Sequence, residues 1–415
     1  MTRSRFVEPL MNYIDHTSAR SSALESQPQK ALGIQDVASN PLTNPDPVQD
    51  LICFSHLRWD FVYQRPQHLL SRASNRWRVW YVEEPKWGDT LRLEIRPIDA
   101  QIQVIIPHLP HGIDERTALG LQRQLVIQLL DAQQLTDYIA WYYTPMALPF
   151  TDHLQPRLTV YDCMDELSAF AGASPLLLDQ EEKLIQKADL VYTGGYSLFE
   201  AKQARHPRVF AFPSCIDFTH FMPARGGVSD PDDQCSIAGP RIGFCGVIDE
   251  RLNLRLLAEL AHRRSDWQFI LLGPVVKIDP ASLPQGPNLH YLGMKAYRDL
   301  PAYFGNWQVA MMPFAINAAT RYISPTKTPE YLAAGLPVVS TPIRDVVRSY
   351  GGLGPVLIGD SVNAFEKAIG QALTIQYDTN GKTIDAMLQQ QSWDHTWQQM
   401  QRLMSAHLQG ISMEQ

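Results

Sequence analysis

Short apolar runs alternate with helical patterns along most of the chain, and the alternation occurs in two series. The first series predicts strand 51–54, a helix that opens at Arg65, strand 79–82, strand 158–161, helix 176–187 and strand 190–192. The second series predicts strand 241–244, helix 253–262, strand 268–272, strand 289–292, helix 299–304, strand 309–313, helix 328–334 and strand 338–340. Such alternation is typical of parallel sheets covered by helices on both faces. We therefore predict an α/β protein with two doubly wound domains that face a cleft.

A polar segment rich in glycine, proline and aspartate separates the two series. This segment, 226–240, includes Gly226-Gly227 and an aspartate-rich run at 229–233, which predict a solvated linker. Residues 1–48 carry scattered Ser, Asn, Gln and Pro and end in a proline-rich run, so they predict a disordered N-terminal extension. The predicted domains are therefore 49–225 and 241–385, both Rossmann-like.

Composition and charge exclude several classes of protein. The chain has 415 residues, of which 45% are hydrophobic and 19% charged, so it can bury two domains. A net charge of −7 argues against nucleic acid as a partner. No apolar run approaches the roughly 20 residues of a membrane helix or resembles a signal peptide, and we expect a cytoplasmic protein. The five cysteines form no Cys-x-x-Cys pair, so neither a zinc site nor a disulfide framework is expected.

The densest cluster of chemical signals lies in residues 324–341. Ser324 and Thr326 can cap a helix that ends at Gly335, because glycine suits a left-handed helix end and Pro337 forbids continuation. The resulting short helix directs its N-terminus at the mouth of the second sheet, where free N–H groups suit a phosphate.

Two charged residues strengthen this prediction. Lys327 adds a positive charge at the start of the helix, and Glu330, one turn later, can accept hydrogen bonds from a pair of ribose hydroxyls. Together these features predict a site for a nucleoside diphosphate. An ordinary capped helix, with Glu330 favoured by the helix dipole, explains the same residues without a ligand.

The segment resembles the donor-binding segment of GT-B glycosyltransferases of group 1 (family 4-like), especially the retaining group with a Glu-x7-Glu motif. The likeness extends upstream through residues 242–251, 288–293, 297–303 and 309–314, which follow that family's order and spacing. It covers about residues 50–405, nearly everything after the extension. The resemblance implies a GT-B fold, a nucleotide-diphosphate sugar as donor substrate, and a C-terminal helix over 386–408 that crosses back to the first domain.

Donor-binding roles follow from the resemblance. Glu330 would hold the donor ribose, while Lys327 and Arg251, with Thr328 at the helix start, would hold the diphosphate. Gly246 follows the strand at 241–244, where a backbone without Cβ can approach a pyrophosphate closely, although a plain tight turn explains it too. These cations and the helix terminus would offset the leaving diphosphate without a metal or other cofactor.

One position departs from the family pattern. Tyr322 stands where the first glutamate of the motif would face the transferred sugar. Tyr322 is therefore expected to contact the donor sugar, and the departure leaves the sugar and the reaction subclass open.

Polar and aromatic residues also crowd into the turn after the first strand, residues 55–68. This stretch resembles the signature of a bacterial GT-B subgroup of teichuronic acid biosynthesis glycosyltransferases. The turn should face the cleft, so five of its residues are predicted to bind the acceptor: His56, Arg58, Trp59, Asp60 and Arg65. The arginines suit an anionic group and the tryptophan a sugar face. Surface arginines, a packed tryptophan and a satisfied loop histidine explain the same pattern.

A catalytic carboxylate is predicted in the loop after strand 158–161. Asp165 is the first candidate and Asp162 the second for the base that deprotonates an acceptor hydroxyl. The alternative for Asp165 is a helix cap. Retention is the stereochemistry that the family favours, whereas a general base at Asp165 fits inversion.

The resemblance implies transfer of a sugar from a nucleotide-diphosphate donor to a hydroxyl of a glycan or lipid-linked acceptor, in cell-envelope or exopolysaccharide synthesis. A lipid-linked acceptor would bring the protein into peripheral contact with the inner face of the plasma membrane. Two alternatives share the fold. One is a nucleotide-sugar epimerase. The other is a non-catalytic nucleotide-sugar-binding protein, which is suggested by Tyr322 in place of the first glutamate of the motif.

Overall fold

The structure, a computed structural model, describes residues 48–375 and 381–411. The predicted disordered extension lies outside these residues except for Val48, which is buried beside the first strand.

The first domain is built on a nine-stranded sheet. Its elements are β1 (Asp50–Phe54), α1 (Arg65–Ala73), β2 (Arg78–Val82), β3 (Lys86–Gly88), β4 (Arg92–Pro97), β5 (Ile102–Pro110), α2 (Glu115–Gln133), β6 (Tyr138–Tyr142), α3 (Leu148–Thr151), β7 (Leu158–Cys163), α4 (Leu177–Lys187), β8 (Leu190–Thr193), α5 (Tyr196–Lys202), β9 (Val209–Ala211) and α6 (Phe218–Phe221). The strand order is β3-β5-β2-β1-β6-β7-β8-β9, with β4 antiparallel to β5 and the other ladders parallel. The central strands β1, β6 and β7 are buried along their whole length, as sheets covered on both faces require.

The second domain is built on a six-stranded parallel sheet. Its elements, with the C-terminal helices, are β10 (Arg241–Cys245), α7 (Leu254–Arg263), β11 (Gln268–Leu272), β12 (Leu289–Gly293), α8 (Leu300–Phe304), β13 (Val309–Met312), α9 (Lys327–Ala333), β14 (Val338–Ser340), α10 (Arg344–Tyr350), β15 (Val356–Ile358), α11 (Val362–Ala372), α12 (Gly381–Gln390) and α13 (Trp393–Leu408). The order β12-β11-β10-β13-β14-β15 reverses direction between β10 and β13. Ligands of such sheets bind outside the carboxyl ends of the strands at this reversal.

Two segments connect the domains. In the predicted solvated linker, Gln234 is instead fully buried: its Oε1 accepts from Trp307 Nε1 at 2.8 Å, because the indole needs a partner inside the core. The helix α13 packs against α1, and its Trp393, Trp397 and Met400 join the hydrophobic core of the first domain. Among the described residues, none of the helices combines the length and apolar character that crossing a membrane requires.

Candidate functional site

A cleft of about 1230 Å³ lies between the domains, at the carboxyl ends of their central strands. The second domain contributes Gly246 after β10, Gly273 after β11 and Phe314 after β13. The first domain contributes Asp165 and Gly194, from the loops after β7 and β8. The cleft therefore lies where the strand-order reversal of the second sheet predicts a ligand.

The cleft brings together five of the residues that the sequence singles out. They come from both domains: Arg65, Asp165, Gly246, Arg251 and Lys327. The other predicted site residues lie beneath its wall or elsewhere, and their contacts are described below.

The helix α9 places Lys327 and Glu330 on one face, because the two residues are three positions apart. Lys327 Nζ donates to Glu330 Oε2 at 2.5 Å, and Glu330 is only 4% exposed. Burial by itself lowers the pKa of Lys327, but the Glu330 carboxylate and Cys245 together raise the pKa above its ordinary value, so the ammonium stays charged. An ammonium has three N–H donors, and the Glu330 contact uses one of them. Lys327 therefore keeps donors for a ligand in the cleft.

The start of α9 differs from the predicted cap. Thr326 is the N-cap residue, but its side chain makes no capping hydrogen bond. Thr328 is fully buried and directs its hydroxyl towards Met312 Sδ at 3.5 Å, so its side chain cannot contact a ligand in the cleft. The predicted end is correct, since Gly335 has φ +80° and its N–H donates to the Leu332 carbonyl.

The loop after β10 fixes Arg251. Its Nε and Nη2 donate to the Asp249 carboxylate at 2.7 to 3.0 Å, while Nη1 has no protein partner within residues 48–375 and 381–411. The guanidinium lies 5.3 Å from the centre of the Phe170 ring, which comes from the first domain. In the same loop, a Cβ on Gly246 would come within 3.1 Å of the Phe244 ring, so a larger residue would have to displace that ring.

Asp165 faces Arg251 across the cleft. Its carboxylate makes no hydrogen bond or ion pair within the described residues, so it does not act as a helix cap there. Burial raises the pKa of Asp165, although the positive charges of Arg251 and Lys277 counteract part of the rise. A half-buried carboxylate with a raised pKa and no protein partner is suited to accept a proton.

Asp162 has a structural role, contrary to the prediction that it is a second candidate base. Its carboxylate is fully buried and accepts from Arg65 Nε and Nη2 at 2.8 to 3.0 Å. Arg65 Nη1 donates to the Phe212 carbonyl at 2.8 Å. Arg65 therefore borders the cleft, but each of its three nitrogens already donates within the first domain. Only its two remaining N–H groups could serve an acceptor.

The remaining residues of the turn after β1 are also bonded within the first domain. Arg58 Nη1 donates to Glu83 Oε2 at 2.9 Å and to the Glu84 carbonyl. Trp59 packs edge-on against Tyr81, with ring centres 5.0 Å apart. Neither Arg58 nor Trp59 lines the cleft, although Val62, Tyr63 and Gln64 of the same turn do.

Asp60 and His56 complete this turn. Asp60 forms an exposed ion pair with Arg96 at 2.7 Å. His56 is buried, and among the residues that the structure describes its Nδ1 has no hydrogen-bond partner. Burial lowers the pKa of His56 to about 4, and the positive charge of Lys277 adds to the effect. The imidazole is therefore neutral at pH 7. Of the five acceptor residues predicted in this turn, only Arg65 lines the cleft.

Tyr322 also differs from its prediction. Its ring packs against the hydrophobic cluster of the first domain that includes Cys163 and Leu198, and it does not line the cleft. An aromatic side chain gains more from burial in this interdomain contact than from an aqueous cleft. Tyr322 therefore joins the domains and is not placed for a contact with a sugar.

Sequence reasoning missed two groups, Tyr297 and Glu84, of which Tyr297 lines the cleft. Tyr297 lies in the cleft wall, and its buried hydroxyl has no hydrogen-bond partner in the part of the chain that the structure describes. Its ring stacks between Tyr63 and His220, with ring centres 4.6 and 4.2 Å away. Burial raises the pKa of Glu84 to about 7, with Arg58 and Lys277 opposing the rise. A pair of glutamates directly after β2 is a sequence signal that could have identified Glu84.

Comparison with known families identifies the second domain. Residues 239–374 match the family described as Glycosyl transferases group 1. The matched segment is 136 of the 415 residues, about a third of the chain. The domain contains β10 to β15, and with them Gly246, Arg251, Lys327 and Glu330.

A curated relative is similar to a little more than half of this chain. This Bacillus subtilis (strain 168) protein, TuaH, is named for a glycosyltransferase role in teichuronic acid biosynthesis, and it is 27% identical over 256 residues. The match covers 56% of this chain and 63% of TuaH, so it spans less than two thirds of that relative.

Solved structures match the two domains together. A sucrose-phosphate synthase from Thermosynechococcus elongatus has a TM-score of 0.64 at 14% identity, covering 87% of this chain and 100% of that one. An Escherichia coli trehalose-6-phosphate protein bound with UDP-2-fluoro glucose has a TM-score of 0.65 at 13% identity, covering 87% and 99%. These likenesses confirm the GT-B fold that the group 1 resemblance implies.

Proposed function

We propose that the chain is a glycosyltransferase that moves a sugar from a nucleotide-diphosphate donor to a hydroxyl of a glycan or lipid-linked acceptor. The observation that carries the proposal is that Lys327 and Asp165 line one cleft from opposite domains. The first belongs to a group 1 domain and the second is a carboxylate without a protein partner. The name of TuaH adds a role in cell-envelope polysaccharide synthesis. A lipid-linked acceptor would place the protein in the cytoplasm, against the inner face of the membrane.

On the donor side, Lys327 and the Nη1 of Arg251 would bind the diphosphate. Both cations keep donors that the protein does not use, because Glu330 and Asp249 occupy only part of each group. Glu330 Oε1, which makes no hydrogen bond within the described residues, would accept from a ribose hydroxyl. As the sugar leaves, negative charge develops on the diphosphate, and fixed cations at the cleft wall stabilise it without a metal.

On the acceptor side, Asp165 would take the proton of the attacking hydroxyl. Its raised pKa makes it a stronger base than an exposed aspartate, and Arg251 opposite keeps enough positive charge nearby for the carboxylate to ionise. Contact between the domains excludes water from the reacting groups, which limits hydrolysis of the donor.

Calorimetry with UDP, GDP, ADP and TDP tests the donor site. For the nucleotide that binds, we expect Lys327→Ala and Glu330→Gln each to weaken affinity by about tenfold, the effect of losing one charge-assisted hydrogen bond. Lys183→Ala is the matched control, because Lys183 is an exposed lysine on α4 that pairs only with Asp179. Unchanged affinity in both site variants would contradict the donor assignment.

Incubation with the corresponding nucleotide sugars tests the reaction. Asp165→Asn should reduce acceptor-dependent release of the nucleoside diphosphate by about a hundredfold or more, with nucleotide affinity unchanged. The wild-type rate should rise with pH through a midpoint above 3.8, the ordinary aspartate value, because the folded pKa of Asp165 is raised and the base must be deprotonated. Epimerised sugar nucleotide from donor alone would instead support an epimerase.

A further inference from the structure

The helix α5 begins without a side-chain cap of its own and receives one from the other domain. Its N-cap residue is Gly195, which has no side chain. The carboxylate of Asp345, in the first turn of α10, accepts from the Ser197 N–H at 3.1 Å and from Ser197 Oγ at 2.5 Å. Asp345 and Ser197 are 2% and 1% exposed, so the contact is sealed from water.

The two backbones approach each other at the same place. A Cβ on Gly195 would lie 2.4 Å from Asp345 Oδ2 and 2.9 Å from the Ser324 Cβ. A real Cβ cannot occupy that position, so glycine here permits the domains to touch. Ser214 Oγ, also from the first domain, donates to the Ser324 carbonyl at 2.5 Å.

These contacts reach the donor segment directly. Ser324 lines the cleft and lies three residues before Lys327, which begins α9. The first domain therefore contacts the donor segment through Ser214 at Ser324. It contacts α10 through Ser197 at Asp345, and Gly195 lies against both Ser324 and Asp345.

The buried carboxylate depends on the docked arrangement. Asp345 makes no ion pair within the described residues, and its recorded hydrogen-bond donors belong to Ser197. A buried carboxylate is stable only while such donors satisfy it, and separation of the domains would return it to water. The neighbouring pairs of Glu200 with Arg344 and Arg348 are partly exposed, and pairs of this kind contribute little.

We propose that Asp345 is a positioning residue that docks the second domain on the start of α5 and thereby sets the position of the donor segment 324–327. The consequence for donor binding rests on the proposed function, whereas the docking itself does not. Loss of the carboxylate shifts the protein from the closed to the open arrangement of the domains. A ligand that needs the closed form then binds with an affinity reduced by the fraction that is closed.

Small-angle X-ray scattering of the full chain without ligand tests the docking. We expect Asp345→Asn and Gly195→Ala to increase the radius of gyration by roughly 5%, relative to about 22 Å for a compact chain of this length. Glu200→Gln, in the same interface, should leave the radius unchanged. An unchanged radius in both Asp345→Asn and Gly195→Ala overturns the proposal.

Two measurements separate positioning from a general loss of stability. Ser197→Ala removes the hydroxyl donor and leaves the backbone N–H donor to Asp345. The double variant with Asp345→Asn should therefore open no further than Asp345→Asn alone. Additive opening of the double variant would contradict the proposal. Thermal unfolding should show that each variant remains folded at the temperature of the scattering measurement.

Calorimetry with the nucleoside diphosphate that binds the wild type should show about three- to tenfold weaker binding to Asp345→Asn, and less than twofold for Glu200→Gln. If no nucleoside diphosphate binds the wild type while the radius still increases in Asp345→Asn, the docking role stands and the proposed function fails. The two failures are therefore distinguishable.

Discussion

The turn after β1 and the segment that begins α9 both crowd charged and polar residues behind a strand, but their charges meet different partners. In the turn, Arg58 is bonded to Glu83 and Arg65 to the fully buried Asp162. In the α9 segment, the Lys327–Glu330 pair lies at the wall of the cleft and keeps unused donors. Residue type is therefore not enough to identify a binding site, because the donors that remain after internal pairing decide what a ligand meets.

The largest expected effect follows from the Arg65–Asp162 pair. Arg65→Met would leave Asp162 buried without a partner, and removal of one member of a buried pair costs about 3–5 kcal/mol of unfolding free energy. Urea unfolding monitored by tryptophan fluorescence measures the loss. Arg321→Met is the control, since Arg321 is exposed and forms no ion pair in the described residues. Equal unfolding midpoints for the two variants would mean that the Arg65–Asp162 pair does not stabilise the fold. Arg65 would then be available to an acceptor, and the contrast with the α9 segment would fail.

A smaller effect is expected for His56, which should make the free energy of unfolding depend on pH. The pKa of His56 in the folded protein is about 4, below the ordinary 6.5. Between these two pH values, His56 therefore binds a proton in the unfolded chain but not in the folded protein. Stability should therefore fall as pH decreases through that window, by about 2 kcal/mol between pH 7 and pH 5. In His56→Gln the loss over the same interval should be smaller by that amount, measured by urea unfolding at both pH values. Equal losses would mean that His56 is accessible to protons and could face the cleft.

The smallest effect is expected at Asp60. Its ion pair with Arg96 is exposed, so Asp60→Asn should change the unfolding free energy by less than about 0.5 kcal/mol. Transfer to an acceptor should also be unchanged within about twofold. A larger loss of transfer with unchanged stability would indicate that Asp60 contacts the acceptor. The acceptor site would then extend to this part of the turn.

Much of the fold was predictable from local patterns. The strands at Gln268–Leu272 and Val338–Ser340 coincide with the predicted ranges, because continuous apolar runs bounded by glycine, proline or polar residues are typical of buried parallel strands. The pattern gave no indication of β3 and β4. Neither strand contains a buried residue, so neither carries the apolar run of a buried strand. The long polar helix α2 was missed for a similar reason, since only five of its nineteen residues are buried.

In the candidate site, too, some contacts were predictable from local spacing and others were not. Lys327 and Glu330 are three residues apart, so helical geometry alone places them together, and the sequence by itself determined that pair. The partners of Arg58 and Arg65 lie 25 and 97 residues away, and Ser197 is separated from Asp345 by 148. Tertiary structure decided those contacts, because a buried charge takes whichever donor or acceptor the packed domains bring within hydrogen-bonding distance, and that choice is not encoded in local spacing.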